Sequence, residues 1–130
     1  LPRPETASAA TARDGIARVA YSERALADLR AQHRVVFVNM TADWCVSCKV
    51  NEKAVFARAG FRAALESANA VYMVGDYTDV DPAITAFLEK HKAVGVPLYV
   101  VYPRNGGEGE VLPTIVTQSI VDGALQRAAQ

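Results

Sequence analysis

Residues Val35-Val36-Phe37-Val38-Asn39-Met40-Thr41 form a nearly continuous apolar run, and the chain's only two cysteines, Cys45 and Cys48, follow it within seven positions. Strands buried on both faces read as unbroken Val/Ile/Phe runs rather than alternations, so residues 35–41 predict an interior strand. After Cys48, the stretch Lys49-Val50-Asn51-Glu52-Lys53-Ala54-Val55-Phe56 holds neither Gly nor Pro and is rich in helix formers. A helix is therefore expected from about Cys45 to Phe56. The segment Trp44-Cys45-Val46-Ser47-Cys48-Lys49, with the only tryptophan, sits where a buried strand ends and a helix begins.

That placement has chemical consequences. A helix N-terminus carries unpaired N–H groups and the positive end of the macrodipole, both of which favour an anion. A cysteine there tends toward the thiolate, the form that attacks disulfides. The spacing puts Cys48 nearly one turn from Cys45, within reach of a reversible disulfide in which Cys45 attacks and Cys48 resolves. A C-x-x-C beside a βαβ pattern reads as a thioredoxin-like redox motif. Two other readings exist. Half of a zinc site has the same spacing, but His33 and His91 form no second closely spaced ligand pair. A purely structural disulfide would close too small a loop to remove much chain entropy. No metal is expected.

The 130 residues suffice for one domain with a real core. Lys+Arg and Asp+Glu number 14 each, and the resulting zero net charge argues against nucleic acid or an anionic surface as the main partner. No apolar run approaches the roughly 18 residues of a membrane helix, so direct membrane insertion is not expected. Beginning at Leu1, the chain reads as a processed protein or an excised domain.

Residues 1–14, rich in Ala, Thr and Pro, read as a linker or disordered arm, leaving 15–130 as the domain. Ile16–Tyr21 suggests a short strand, and Ser22 a cap for a helix to about Gln32. A second helical piece spans Phe61–Ser67, and Val71–Val74 is the next strand. Asp76–Asp79 is a polar loop, and Asp81-Pro82 a strong helix start. Ile84, Phe87, Leu88 and His91 share one face of that helix, with His91 expected as a helix-end or packing residue. Val96–Tyr102 reads as a strand, and Arg104–Gly109 as a hairpin turn leading to an edge strand that Pro113 ends. Thr117 caps a last helix. The order β-α-β-α-β-α-β-β-α implies an α/β fold with a central mixed sheet and helices on both faces.

Ala42-Asp43-Trp44-Cys45-Val46-Ser47-Cys48-Lys49, with Glu52-Lys53 and Phe56 after it, resembles the C-terminal thioredoxin-like domain of the DsbD family of membrane thiol:disulfide interchange proteins. Asp76-Tyr77-Thr78, Asp81-Pro82-Ala83-Ile84 and Gly95-Val96-Pro97-Leu98-Tyr99 fit the same family, its ScsB-like branch included. The similarity covers roughly residues 16–128. It implies a thioredoxin-like fold and a periplasmic domain tethered to the inner membrane. It also implies electrons arriving from a transmembrane dithiol carrier of the same or a related protein, and leaving to a periplasmic thioredoxin-like or other disulfide-containing partner. The arm at 1–14 would be the linker, and no cofactor is implied beyond the redox-active disulfide itself. Pro97 becomes a cis-proline facing the cysteines, although X–Pro bonds are cis only about one time in twenty. Val96 would offer its backbone to an extended partner, and Trp44 would flank Cys45 and shape the docking surface.

Two positions depart from the family. Asn39 stands six residues before Cys45, where relatives carry an acid able to relay the proton of the second cysteine. Leu98 replaces a threonine after the proline. Glu52, four residues after Cys48, is the natural substitute base; alternatively it is a solvated glutamate paired with Lys49 or Lys53. Asp43 either caps the helix or biases Cys45. The rival functions are a free-standing thioredoxin-like oxidase or isomerase, and a non-catalytic module with a structural disulfide or metal.

Overall fold

The computed structural model describes residues 10–11 and 17–130. The apolar run becomes β3 (Val35–Thr41), which pairs in parallel with β4 (Ala70–Asp76) on one side and antiparallel with β5 (Leu98–Tyr102) on the other. Outside these lie β2 (Ala17–Ala20), parallel to β4, and β6 (Glu110–Val111), antiparallel to β5. β1 (Ala10–Thr11) pairs antiparallel with β2, giving a mixed sheet in the order β1-β2-β4-β3-β5-β6. Of the expected arm, only Ala10–Thr11 falls among the described residues; pairing there covers an edge whose N–H and C=O groups would otherwise stand open.

Successive side chains of β3 point to opposite faces, and each face has its own core. Val36, Val38 and Met40 join Met73 and Val100 beneath α1 (Glu23–Ala31) and α4 (Pro82–Lys90), with Leu26, Leu29, Ile84, Phe87 and Leu88. Val35 and Phe37 join the opposite core beneath α3 (Ala59–Ala68) and α5 (Gln118–Ala128). Phe37 meets Phe56, Phe61, Tyr72 and Tyr99 at ring separations from 5.3 to 6.4 Å, tilted or edge-on. Such pairs contribute ~0.5–1.5 kcal/mol each beyond area burial. By the same alternation Asn39 faces this aromatic side. A Cβ at Gly75, opposite Met40, would run into the buried Met40 side chain unless that side chain shifted.

Three caps act as expected: Ser22 Oγ accepts from Ala25 N, Asp81 Oδ1 from Ala83 N and Ile84 N, and Thr117 Oγ1 from Ile120 N. His91 caps the end of α4, its ring 4.4 Å from that of Phe87.

The structure corrects several boundaries. The helix after Cys45 is not uniform: α2 (Val46–Asn51) passes into a π-helical turn, Glu52–Phe56. The wider turn keeps Cys48 and Asn51 buried while Val55 and Phe56 both reach the core. β4 runs longer than Val71–Val74 because its whole length pairs with β3. β5 begins at Leu98, since its ladder with β3 starts at the Met40–Leu98 pair, after Val96 and Pro97.

Candidate active site

β3 ends at Thr41, and the chain turns through Ala42–Trp44 into α2 with Cys45 as the N-cap. Cys45 Sγ accepts a hydrogen bond from Cys48 N at 3.2 Å, as a capping oxygen would. The two cysteines are joined as a disulfide, their Cα atoms 5.2 Å apart. Both sulfurs lie low: Cys45 and Cys48 are buried against Ala42, with Val96 and Tyr77 packed on them. The Val96–Pro97 peptide bond is cis, and Pro97 is buried beside this cluster. Among the described residues, no hydrogen bond engages the Val96 backbone.

The neighbours of Cys45 contrast with it. Trp44 is 60% exposed and Val46 75% exposed, so the buried sulfur is flanked by two apolar side chains in solvent. Trp44 is therefore not a core residue. Its indole Nε1 donates to the Thr78 carbonyl at 3.1 Å. Ser47 is half-buried, and Asp43 and Lys49 are exposed. The Asp43 backbone N–H donates to Thr78 Oγ1 at 2.9 Å.

On the Cys48 side a cleft of about 250 Å³ opens between Thr41, Ala42, Asp43, Lys49, Glu52, Val74 and Asp76. Glu52 and Cys48 both line it. Cys45, the N-cap, is not among its lining residues. Glu52 lies 3.8 Å from the Arg18 guanidinium, which also sits over the Tyr72 ring. An arginine on β2 is thus one partner of Glu52.

Asn39 is 3% exposed, and its Nδ2 donates to Tyr72 Oη at 2.8 Å. Its Oδ1 has no hydrogen-bond partner among the described residues. Burial pushes the Tyr72 phenol well above its ordinary range, against the Asn39 hydrogen bond, which pulls it down. Tyr99 is pushed up to about 12, again by burial first, with Asn51 opposing.

Sequence reasoning missed Asn51, Tyr77 and the roles of Asp76 and Thr78. Asn51 is fully buried: its Nδ2 donates to Tyr99 Oη at 2.8 Å and Thr114 O at 2.7 Å, and its Oδ1 accepts from Val116 N at 3.1 Å. It ties α2 to β5 and to the loop before α5. A polar residue three positions after Cys48, on the helix face turned to the core, was the available signal. For Thr78 the signal was the Asp-x-Thr spacing, since Asp side chains accept from the backbone two residues on. His33 and His91 stay apart from the cysteines, their ring nitrogens 3.3 Å from Arg104 O and 3.0 Å from Phe87 O. Among the described residues no three His, Cys, Asp or Glu side chains are grouped to hold a metal.

Residues 17–103 match the thioredoxin-like family model. The chain belongs to the thioredoxin-like family. It is 35% identical over 107 residues to the thiol:disulfide interchange protein DsbD of Pseudoalteromonas atlantica, covering 82% of this chain and 17% of that protein. It is 34% identical over 105 residues to DsbD 2 of Pseudomonas aeruginosa, covering 81% of this chain and 17% of that protein. The chain thus spans about a sixth of the length of these curated relatives. The oxidised C-terminal domain of Neisseria meningitidis DsbD superposes with a TM-score of 0.66 at 21% identity, covering 82% of this chain and 96% of that one. A Thermus thermophilus thioredoxin superposes with a TM-score of 0.61 at 20% identity, over 83% and 84% of the two chains. The resemblance read from Ala42–Lys49 holds, as does the α/β fold with its mixed sheet. Among the described residues, no helix is long and apolar enough to cross a membrane.

Proposed function

We propose that this domain is the C-terminal relay of a DsbD-type thiol:disulfide interchange protein, passing electron pairs from a membrane-embedded dithiol to disulfide-containing periplasmic partners. The observation that carries the reading is the Cys45–Cys48 disulfide at the N-terminus of α2 with Val96, the residue before cis-Pro97, packed against it. In the reduced domain, the Cys45 thiolate attacks one sulfur of a partner disulfide, and the other sulfur departs as a thiolate that takes a proton. Cys48 then loses its proton and attacks Cys45 Sγ. The mixed disulfide breaks, Cys45–Cys48 forms, and the partner leaves with two electrons as a dithiol. The upstream carrier repeats the exchange in reverse to reduce the pair, and no further cofactor enters.

In this reading the Cys48 N–H at Cys45 Sγ stabilises the attacking thiolate. Val96 presents its backbone to an extended partner segment by strand addition, beside Pro97. Trp44 and Val46 form the apolar rim, and Asp43, Ser47 and Lys49 its polar surround. Glu52, reaching the cleft that Cys48 lines, accepts the Cys48 proton in place of the acid that Asn39 lacks. The domain is tethered to the inner membrane through residues 1–14 and works in the periplasm. The experiment is the Cys45–Cys48 reduction potential, read by Trp44 fluorescence in defined dithiol buffers. A value near about −270 mV, like thioredoxin, supports a membrane-fed reductant, whereas one near about −120 mV reverses the direction and makes the domain an oxidase.

A further inference from the structure

We infer that Thr78, held by Asp76, is a positioning residue that sets the Trp44 indole for protein substrates and so discriminates polypeptide disulfides from small ones. The inference rests on the thiol–disulfide exchange just proposed and adds a specificity device to it.

Both residues that lead into Cys45 are fastened to this one threonine. Its hydroxyl can donate once and accept, and here it does both: it donates to Asp76 Oδ1 at 2.5 Å and accepts from Asp43 N at 2.9 Å. Its backbone N–H donates to the same carboxylate oxygen at 2.9 Å, and its carbonyl accepts from Trp44 Nε1 at 3.1 Å. Asp76 ends β4 in register with Thr41, and Tyr77 N donates to Thr41 O at 2.7 Å, so the brace is anchored in the sheet. The bonds to Asp76 are charge-assisted, the strong class.

What the brace holds is an exposed side chain. A tryptophan 60% in solvent would be free to rotate unless something fixed it, and a partner docking on a rotating indole must immobilise it first. With the indole held in advance, that ordering cost does not fall on binding. The buried Cys45 sulfur makes the effect selective. A polypeptide must seat on Trp44 and Val46 to bring its disulfide down to Cys45, whereas a small disulfide touches little of that rim.

The test compares wild type with Thr78→Val, which removes the hydroxyl's donor and acceptor while keeping the shape. Insulin and glutathione disulfide serve as substrates for the dithiothreitol-reduced domain. Releasing one side chain that must then be ordered corresponds to about a fivefold fall in the ratio of kcat/KM for insulin to that for glutathione disulfide, carried by KM. Time-resolved anisotropy of the sole tryptophan should gain a fast component in the variant, and Thr78→Ser should restore both readouts. An unchanged ratio with unchanged anisotropy overturns the brace. A wild-type domain that reduces neither substrate instead overturns the exchange reading, and the anisotropy still judges the brace. If Thr78→Val does not fold, Asp76→Asn, which weakens only the charge-assisted bonds, is expected to shift the ratio in the same direction; no shift there sinks the proposal.

Discussion

The Glu52 carboxylate stands 3.8 Å from the Arg18 guanidinium beside the cleft that Cys48 lines, which places an acid within the surroundings of the resolving thiol. With 46% of the Glu52 side chain exposed, the pair belongs to a class worth ~0–1 kcal/mol, so Glu52→Gln should leave folding nearly intact. Its effect should appear in the step that needs Cys48 deprotonated. Proton transfer by a positioned group typically contributes about 10²-fold or more, so mixed-disulfide resolution should slow on that scale at neutral pH. The gap should close as pH rises past the ordinary thiol value of about 8.5, where solvent removes the proton unaided. Rapid mixing with a preformed mixed disulfide measures this, and a pH-independent wild-type rate in the variant would sink the role.

Asn39 offers the complementary test. Asn39→Asp puts a carboxyl 3% exposed beside the Tyr72 hydroxyl, six residues before Cys45. Burial favours the neutral acid and raises its folded pKa above the unfolded value of about 3.9. A raised folded pKa means that stability relative to wild type is retained below the unfolded pKa and lost as pH rises through the folded one. Urea titrations across pH should show that loss. In the Glu52→Gln background the same change should recover part of the resolution rate, a coupling that additive effects would refute.

How far these residues could be read in advance depends on where their partners lie. Ser22, Asp81 and Thr117 bond backbone two or three positions away, so caps were legible from local chemistry. β3 was legible from Val35–Met40 because an interior strand needs apolar side chains on both faces. Asn51 was not, because its partners Tyr99, Thr114 and Val116 lie 48 to 65 positions away and meet it only once α2 is seated on the sheet. The clasp between Trp44 and Thr78 is likewise a product of register, through the Thr41–Asp76 pairing. The π-helical turn at Glu52–Phe56 had no signal in a segment that holds neither Gly nor Pro. Pro97 is cis, as the resemblance implied and base rates alone would not have suggested.

Asn51 should matter more to stability than Asn39, although both are buried amides. Asn51→Leu leaves the Tyr99 hydroxyl, the Thr114 carbonyl and the Val116 N–H without their partner, whereas Asn39→Leu strands only the Tyr72 hydroxyl. A buried group left unsatisfied costs ~1–3 kcal/mol, and two of these partners belong to a loop that can relax toward water. Asn51→Leu is therefore expected to lose about 3 kcal/mol and Asn39→Leu about 1 kcal/mol. Urea midpoints at constant m-value compare them directly, and equal losses would refute the ranking.

The aromatic core predicts a specific alkaline behaviour. Burial lifts Tyr99 to about 12 and carries Tyr72 higher still, with the Asn51 and Asn39 hydrogen bonds pulling down and the nearby Glu52 pushing up. Tyr21 and Tyr102 are also raised, burial being the first cause in both. In the unfolded chain a phenol ionises near about 10. Each raised group therefore contributes stability that is fully present below that value and is lost as pH climbs through the folded one. Tyrosinate absorbance should accordingly rise in two phases, the later one coinciding with loss of far-ultraviolet circular dichroism, because Tyr72 and Tyr99 ionise as the core opens. Tyr99→Phe should shrink that later phase. A single step near about 10 with the fold intact would mean the core admits water around these phenols and would contradict the packing at Phe37.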